Sequence, residues 1–558
     1  MKYLKWFFRT VRPYWGSLSV MMSCHVLLTA CSIGFVYVSK KLVDTAVALL
    51  GGAEPSQGLS FWALLMVSII LFRIVLNALR SYLQTKTEIS MKNSLRKRLF
   101  DILLHLQNDG GTRHHSGDVL NRLQDDVRVV SNAFAVSLPN LLGTALHFLA
   151  ALIFLMTLEP RLGLLIVIIA PAGLIIGKFV TRRIRNLTHD IRKTSSQVQS
   201  HLQESVQNIT LIQSMEYSGN SASTLDSIQG VLYGNEIRRT RFSVVSRIFI
   251  SLAFQAGHAV AFLWGVWGIS TGKVTYGMMT AFLQLVGQIQ RPLADMSGQI
   301  PSLIHASASV DRLRELEALP AEESAEPHLL HGNVGIKLEN VSFAYQVKEK
   351  SEGSDNQESK TVASLLFFYF SYEFKPGSRT AIVGPTGIGK STMIRLLLAL
   401  LKPREGKISL YDSSSEAPVS PATRINLVYV PQGNSLFSGT VRDNLLMGNP
   451  EATQQQLENA LRTAAADFVF SLPSGLDTQC FEAGAGLSEG QAQRIAIARA
   501  LLRPGSVLLL DEFSSALDAE TETLLLERLT KELPDHTMVF ITHREKVIEY
   551  CDSVLRLA

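Results

Sequence analysis

Charge is scarce in this chain of 558 residues: Asp, Glu, Lys and Arg make up 18%, against about 25% in ordinary soluble domains. A disordered chain needs the opposite balance, with much charge and few apolar residues, so disorder is excluded and a wholly soluble protein disfavoured. Cysteine is scarce too. Cys24 and Cys31 share one apolar stretch, and Cys480 and Cys551 lie near the C-terminus; four so placed cannot form a disulfide scaffold. A formal net charge of +5 is small and dispersed, and leaves no electrostatic footprint for nucleic acid. Long apolar runs are missing after residue 300, whereas the part before it holds several.

Six runs come close to the roughly 20 residues that a helix needs to cross a bilayer core of about 30 Å. They are 17–38, 59–79, 137–158, 162–180, 249–269 and 276–293. The first is too long for a removable signal peptide, lacks a small-residue cleavage site and is followed by five more. Ahead of it, residues 1–15 set Trp6, Phe7, Phe8 and Val11 among Lys2, Lys5, Arg9 and Arg12, the pattern of an amphipathic helix lying on a membrane surface. Cations near the span ends set orientation. The connection between spans two and three carries Lys92, Arg96, Lys97 and Arg98, and that between four and five Arg182, Arg183, Arg185, Arg238 and Arg239; the other side has little beyond Lys40, Lys41, Arg161 beside Glu159, and Lys273. Both basic connections and both termini are therefore expected in the cytoplasm, and in a bacterium the membrane would be the plasma (inner) membrane.

The basic connections hold few Gly or Pro and keep a helical period, as at Ile184, Leu187, Ile191 and Val198. They read as helices running on out of the bilayer. Each turns back through a short polar segment, at 116–122 and 208–217. Residues 16–312 are thus expected to form an all-α six-span bundle with long cytoplasmic extensions, and 313–332 a linker.

From 333 to 558 short β-branched strands alternate with helices, the pattern of an α/β domain. Its decisive segment is Gly384-Pro385-Thr386-Gly387-Ile388-Gly389-Lys390-Ser391-Thr392, between an apolar strand and a helical run. That is the context of a P-loop. Its glycines let backbone N–H groups reach phosphate oxygens, the helix N-terminus adds its dipole, Lys390 reaches the β and γ phosphates, and Ser391 ligates magnesium. A second strand, 507–510, ends in Asp511 and Glu512. Asp511 is placed to hold magnesium through water, and Glu512 to polarise an attacking water.

At Leu487-Ser488-Glu489-Gly490-Gln491, followed by another helix, the chain resembles the ATP-binding cassette family, and within it exporter half-transporters whose six-span domain precedes the ATPase. The family usually reads Leu-Ser-Gly-Gly-Gln here, so Glu489 replaces a glycine. The resemblance implies an α/β P-loop ATPase with a helical signature subdomain, and assigns further residues. Ser488, Gly490 and Gln491 would act on the nucleotide of an opposing subunit; Tyr345 would stack on adenine; Gln432 would contact magnesium. Ser515-Ala516-Leu517-Asp518 looks like the loop that crosses between ATPase subunits, and His543 like the switch histidine that contacts the γ phosphate and holds Glu512. The polar turns at 116–122 and 208–217 look like coupling helices.

The implied function is export of a small molecule, lipid or other amphiphile by alternating access, driven by ATP hydrolysis. ATP and magnesium would be the cofactors, and the partners a bilayer and a second copy or a related half-transporter, with no nucleic acid. The alternative is an ATP-gated channel or membrane sensor on the same scaffold; intact Glu512 and His543 favour turnover. A soluble DNA-repair cassette ATPase fails on six spans. Without a cysteine-peptidase domain before the spans, a leader-cleaving peptide exporter is disfavoured. Several departures stand out. The polar insert 347–362 is expected to be a disordered loop. Phe513 and Ser514 stand where the family usually has Ala-Thr, and Phe513 is expected to add bulk near the site. The chain reaches Ala558 soon after 552–557, where relatives usually continue. Within the spans, Arg73, His147 and His258 are candidates to meet substrate.

Overall fold

The computed structural model describes residues 2–52, 57–107, 116–322, 326–349, 360–481 and 486–557. The chain divides into two compact units, Met1–Asp101 with Gly117–Glu317, and Ile102–Ser116 with Ala318–Ala558.

Among the described residues every regular element of the first unit is a helix. After α1 (Lys2–Val11) and a turn at Pro13 come α2 (Trp15–Leu50), α3 (Leu59–Leu104), α4 (Ser116–Asn121), α5 (Val127–Asn132), α6 (Leu138–Leu158), α7 (Pro160–Gln207), α8 (Ile209–Ser214), α9 (Ser218–Ser270) and α10 (Tyr276–Glu317). Among the described residues four runs are long and apolar enough to cross a membrane: Trp6–Leu50, Leu59–Leu104, Gly117–Leu158 and Ser218–Ser270. The other two expected spans fall inside α7 and α10. α3, α7 and α9 have 46, 48 and 53 residues, or about 70 to 80 Å at 1.5 Å per residue, more than twice a bilayer core. Helices therefore do continue past the spans. Leu64, Leu71 and Val75 are exposed along α3, an apolar exterior suited to lipid, while small and branched residues such as Val36, Ala151, Ala261, Ala281 and Ile289 let α10 pack closely on α2, α6 and α9.

The polar turns differ from one another. α8 is a separate short helix, whereas α4 runs into α6 through two π-helical segments, Arg122–Asp126 and Ala133–Ser137. The first is pinned by buried Asp126, which accepts from Arg312 Nε at 2.8 Å and Nη2 at 2.5 Å. Burial works to raise that carboxyl's pKa, but the bonds from Arg312 and Ser309 outweigh it and hold the value below the ordinary range.

Two expectations need correction here. The apolar face of α1 is partly covered by protein: Trp6 is buried, its Nε1 donates to Glu317 at 3.0 Å, and the Phe7 ring meets Phe134 at 4.8 Å. Phe8 and Trp15 remain well exposed. The linker expected at 313–332 is partly built into regular structure. Residues 313–317 complete α10, and Ala321 forms an antiparallel bridge with Leu106, with Gln107 N–H donating to Pro320 O at 2.9 Å.

The second unit is built on two larger sheets and a small two-stranded one. β1 (Gly335–Glu349), β2 (Lys360–Phe374), β4 (Glu405–Tyr411) and β5 (Glu416–Pro418) form an antiparallel sheet in the order β2-β1-β4-β5; β3 (Arg379–Val383), β6 (Leu427–Val430), β9 (Val507–Asp511), β10 (Thr537–Ile541) and β11 (Ser553–Arg556) form a parallel one in the order β11-β3-β10-β9-β6. β7 (Gly439–Thr440) pairs with β8 (Gln479–Cys480). Every residue of β9 and β10 is buried, as strands covered on both faces require. Alternation then sorts them: Leu508 and Leu510 face one core, with the helices α12 (Val441–Leu446), α13 (Gln454–Thr463), α14 (Glu489–Leu501) and α15 (Ala519–Glu532), while Val507 and Leu509 face another with α11 (Lys390–Leu397) and the antiparallel sheet. The short α16 (Glu545–Glu549) follows β10.

The polar insert is shorter than its composition suggests. From Ala344 opposite Leu365, β1 and β2 keep one register out to Glu349 opposite Lys360, so 347–349 and 360–362 are strand, and 350–359 lie outside the described residues. Phe513 also departs from expectation: it is fully buried, with its ring 5.5 Å from Phe540, so its bulk fills the core rather than crowding the site.

Candidate active site

Parallel strands present their loops at one carboxyl edge, where α/β sheets bind ligands. β10 lies between β3 and β9, and β6 follows β9. The segments after these four strands are the P-loop, Asp511-Glu512, Thr542-His543 and Gln432. Residues spread over 160 positions of sequence therefore meet along one sheet edge.

The P-loop bends through left-handed glycines, Gly387 at φ 89° and Gly389 at φ 108°, the latter capping α11. Pro385, Thr386 and Gly387 are exposed on the outside of the turn, and Ile388 N–H closes it onto Pro385 O. Lys390 is buried, with its Nζ donating to Gly384 O at 2.6 Å and Pro385 O at 3.2 Å and lying 3.0 Å from His543 Nε2. Ser391 lies beside Asp511 and its hydroxyl favours that carboxylate's charged form. Thr392 Oγ1 is 3.1 Å from the Tyr345 hydroxyl, which also accepts from Arg395 at 3.5 Å, and the Tyr345 ring stands edge-on to Phe343.

Asp511 is buried, and desolvation first, then the neighbouring Glu512 charge, push its pKa above the ordinary aspartate value, against Ser391, Arg395 and Lys390. Glu512 turns out of the strand at φ 46°. A left-handed glutamate is strained and is held here by its surroundings. Its N–H donates to Ile541 O at 3.0 Å, its O accepts from Gln493 at 3.2 Å, and its Oε2 accepts from Gln432 Nε2 at 2.5 Å. Ser391, Asp511 and Gln432, at the ends of neighbouring strands or the loop beside them, offer hard oxygen groups of the kind magnesium takes, a donor chemistry that fits such an ion.

A second cluster forms at the start of α14. Ser488 caps the helix, accepting from Gln491 N–H at 3.2 Å while Gln491 Oε1 accepts from Ser488 N–H at 3.0 Å. Glu489 sits in the first turn, where the helix dipole favours an acid. Gly490 lies against the Ala516 backbone and the Leu517 side chain; a Cβ there would come 2.6 Å from Ala516 O. Asp518 caps α15, accepting from Thr521 N–H at 2.9 Å and its hydroxyl at 2.8 Å, bonds that hold its carboxyl below the usual range. Among the described residues no hydrogen bond joins Ser488, Gly490, Gln491 or Asp518 to the P-loop. Sequence reasoning had passed over Arg544, which donates to Ser515 O and Leu517 O and pairs with Glu522 at 3.2 Å. It also missed Arg395, one helical turn past Ser391; that spacing was the available signal.

In the first unit a cavity of about 890 Å³ is lined by residues that include Arg73, His25 and His147. His258 is not in that lining, and its Nδ1 lies 3.1 Å from Phe254 O in its own helix.

Two family models match: the ABC transporter transmembrane region over residues 18–293 and ABC transporter over residues 369–515. The chain is 27% identical to the ATP-dependent lipid A-core flippase of Pseudomonas fluorescens, covering 99% of this chain and 91% of that one. It is also 27% identical to the fatty acid ABC transporter ATP-binding/permease protein of Mycobacterium bovis, over 92% of this chain and 80% of that one. A solved bacterial Atm1-family ABC exporter with ATP bound has the same fold, with a TM-score of 0.77 at 24% identity over 98% of this chain and 94% of that one. The chain thus belongs to the ATP-binding cassette exporters, as a half-transporter that joins a multi-pass membrane domain to an ATPase and couples ATP hydrolysis to transport.

Proposed function

We propose that two such chains, either identical or related, enclose two ATP molecules, each held between the P-loop of one chain and the Ser488–Gly490 loop of the other. The meeting of Lys390, Asp511, Glu512, Gln432 and His543 on one sheet edge carries this reading. The separation of Ser488 from that edge within one chain is the reason for a second chain. In each site the P-loop amides and Lys390 bind the β and γ phosphates, Tyr345 takes adenine, and Asp518 belongs to the crossing loop. Glu512 orients the attacking water and accepts its proton, while His543 keeps that carboxylate in place and contacts the γ phosphate. Ser391, Asp511 and Gln432 would hold magnesium, which when bound neutralises charge on the phosphates. Both termini face the cytoplasm, and in a bacterium the membrane is the inner one. The substrate is a small molecule, lipid or other amphiphile.

Mixing two disabled variants tests the dimer. Lys390→Ala and Ser488→Ala chains should each be nearly inactive alone. Co-expressed, half of a random mixture pairs one of each, and such a pair keeps one site with both halves intact, so ATPase activity should reappear. Recovery no greater than the sum of the two alone contradicts the shared site.

A further inference from the structure

The cavity in the membrane unit carries a charge that export as such does not require. Its walls come from α2, α3, α6 and α10 and include three arginines, Arg73, Arg80 and Arg291, against a single carboxylate, Asp295. Leaving the histidines aside, two positive charges are in excess. They are also poorly matched by protein: among the described residues Arg73 and Arg291 make no hydrogen bond or ion pair, and Asp295 pairs with none of the three. Arg80 donates once, to Asn77 at 2.8 Å, and its Nε is buried without a partner.

Position sharpens the point. Arg73 is 14 residues beyond the start of α3 at Leu59, roughly 21 Å along the helix. A guanidinium at such depth in a bilayer is costly unless it meets water, a counter-charge or a ligand. No Phe, Tyr or Trp lines the cavity among the described residues, although pockets for neutral drug-like molecules are predominantly apolar and aromatic. The remaining lining is rich in amides, including Asn140, Gln284 and Gln288.

We propose that this cavity binds the anionic group of a phosphate- or carboxylate-bearing substrate, with Arg73, Arg80 and Arg291 as charge-assisted donors. Planar guanidinium forks match such oxyanions in geometry as well as charge. The proposal rests on the exporter reading and adds the substrate's charge class to it. A lipid headgroup and a soluble organic anion share this chemistry, and the test separates them.

The full chain, purified in a neutral detergent without nucleotide, is titrated with fluorescently labelled phosphatidic acid and with the phosphatidylcholine carrying the same chains. Glucose 6-phosphate is added as a soluble competitor. Wild type should prefer the acidic lipid at least tenfold, and the preference should shrink as salt rises. In the double variant Arg73→Gln with Arg291→Gln the preference should fall to within about threefold, whereas Arg73→Lys with Arg291→Lys should keep most of it. Displacement by glucose 6-phosphate at low millimolar concentration assigns the site to soluble anions; no displacement assigns it to headgroups. Equal wild-type affinity for both lipids, no saturable binding of either anion, or a glutamine variant that matches wild type overturns the proposal. Should the glutamine pair fail to fold, the wild-type preference and its salt dependence decide. A wild type that hydrolyses no ATP would instead sink the export reading and leave the anion preference standing.

Discussion

Replacing Phe513 asks whether the residue after the reactive glutamate belongs to the site or to the core. Its ring is fully buried and packs with Phe540, Leu510 and Leu517 behind β9. Truncating a buried Phe to Ala removes its transfer energy and leaves a cavity, at a cost of about 3 to 5 kcal/mol. In a unit of this size each kcal/mol moves the midpoint by roughly 2 to 4 °C, so Phe513→Ala should lower melting of the ATPase unit by roughly 6 to 20 °C. Phe513→Leu keeps most of the volume and should cost about 1 to 2 kcal/mol. The assay is residual ATPase activity after heating the full chain in detergent, at one fixed heating rate because membrane proteins seldom unfold reversibly. Turnover per folded molecule at 25 °C should stay within a few fold of wild type. Unchanged melting with turnover strongly altered would refute the reasoning and put Phe513 at the nucleotide after all.

Two further outcomes follow from the same geometry. Gly490→Ala should cut ATPase activity strongly while leaving nucleotide binding to the P-loop nearly intact, since the added methyl meets Ala516 O and must move the start of α14; steady-state activity beside nucleotide affinity checks it, and wild-type activity contradicts it. For pH, Asp511 keeps its proton to a higher pH than an ordinary aspartate, first through burial and then through Glu512. Magnesium-dependent nucleotide binding needs the carboxylate, so affinity should rise with pH through that raised value and level off above it. In Glu512→Gln the neighbouring charge is gone and the acid limb should move to lower pH; superimposable limbs would count against this.

Much of this site was legible because backbone chemistry limits how phosphate can be held. The P-loop glycines, Lys390, and the acids ending an apolar strand each require their neighbours, and the structure brings them to one edge. The spans were legible because lipid demands apolar length. What escaped was whatever depends on distant partners or on a break in periodicity. Phe513 was misplaced because Glu512 leaves the strand at φ 46°, which ends the alternation by which a strand residue's face is read. An amphipathic pattern in α1 shows that one face must be covered, but not that Glu317, 311 positions away, takes the Trp6 indole. Polar composition at 347–362 hid three strand residues at each end, since a hairpin pairs through backbone whatever its side chains. Arg544 had no sequence signal of its own, because its partners on the 515–517 backbone lie 27 and 29 positions away.

The most direct test of the catalytic assignment is Glu512→Gln, which preserves shape and the contact with Gln432 while removing the carboxylate's charge and its ability to take a proton. Nucleotide affinity and single-turnover hydrolysis would be measured on the same preparation. ATP binding should persist while hydrolysis falls by about 10² to 10⁴; a variant that binds ATP and hydrolyses it at close to the wild-type rate would contradict the role given to Glu512.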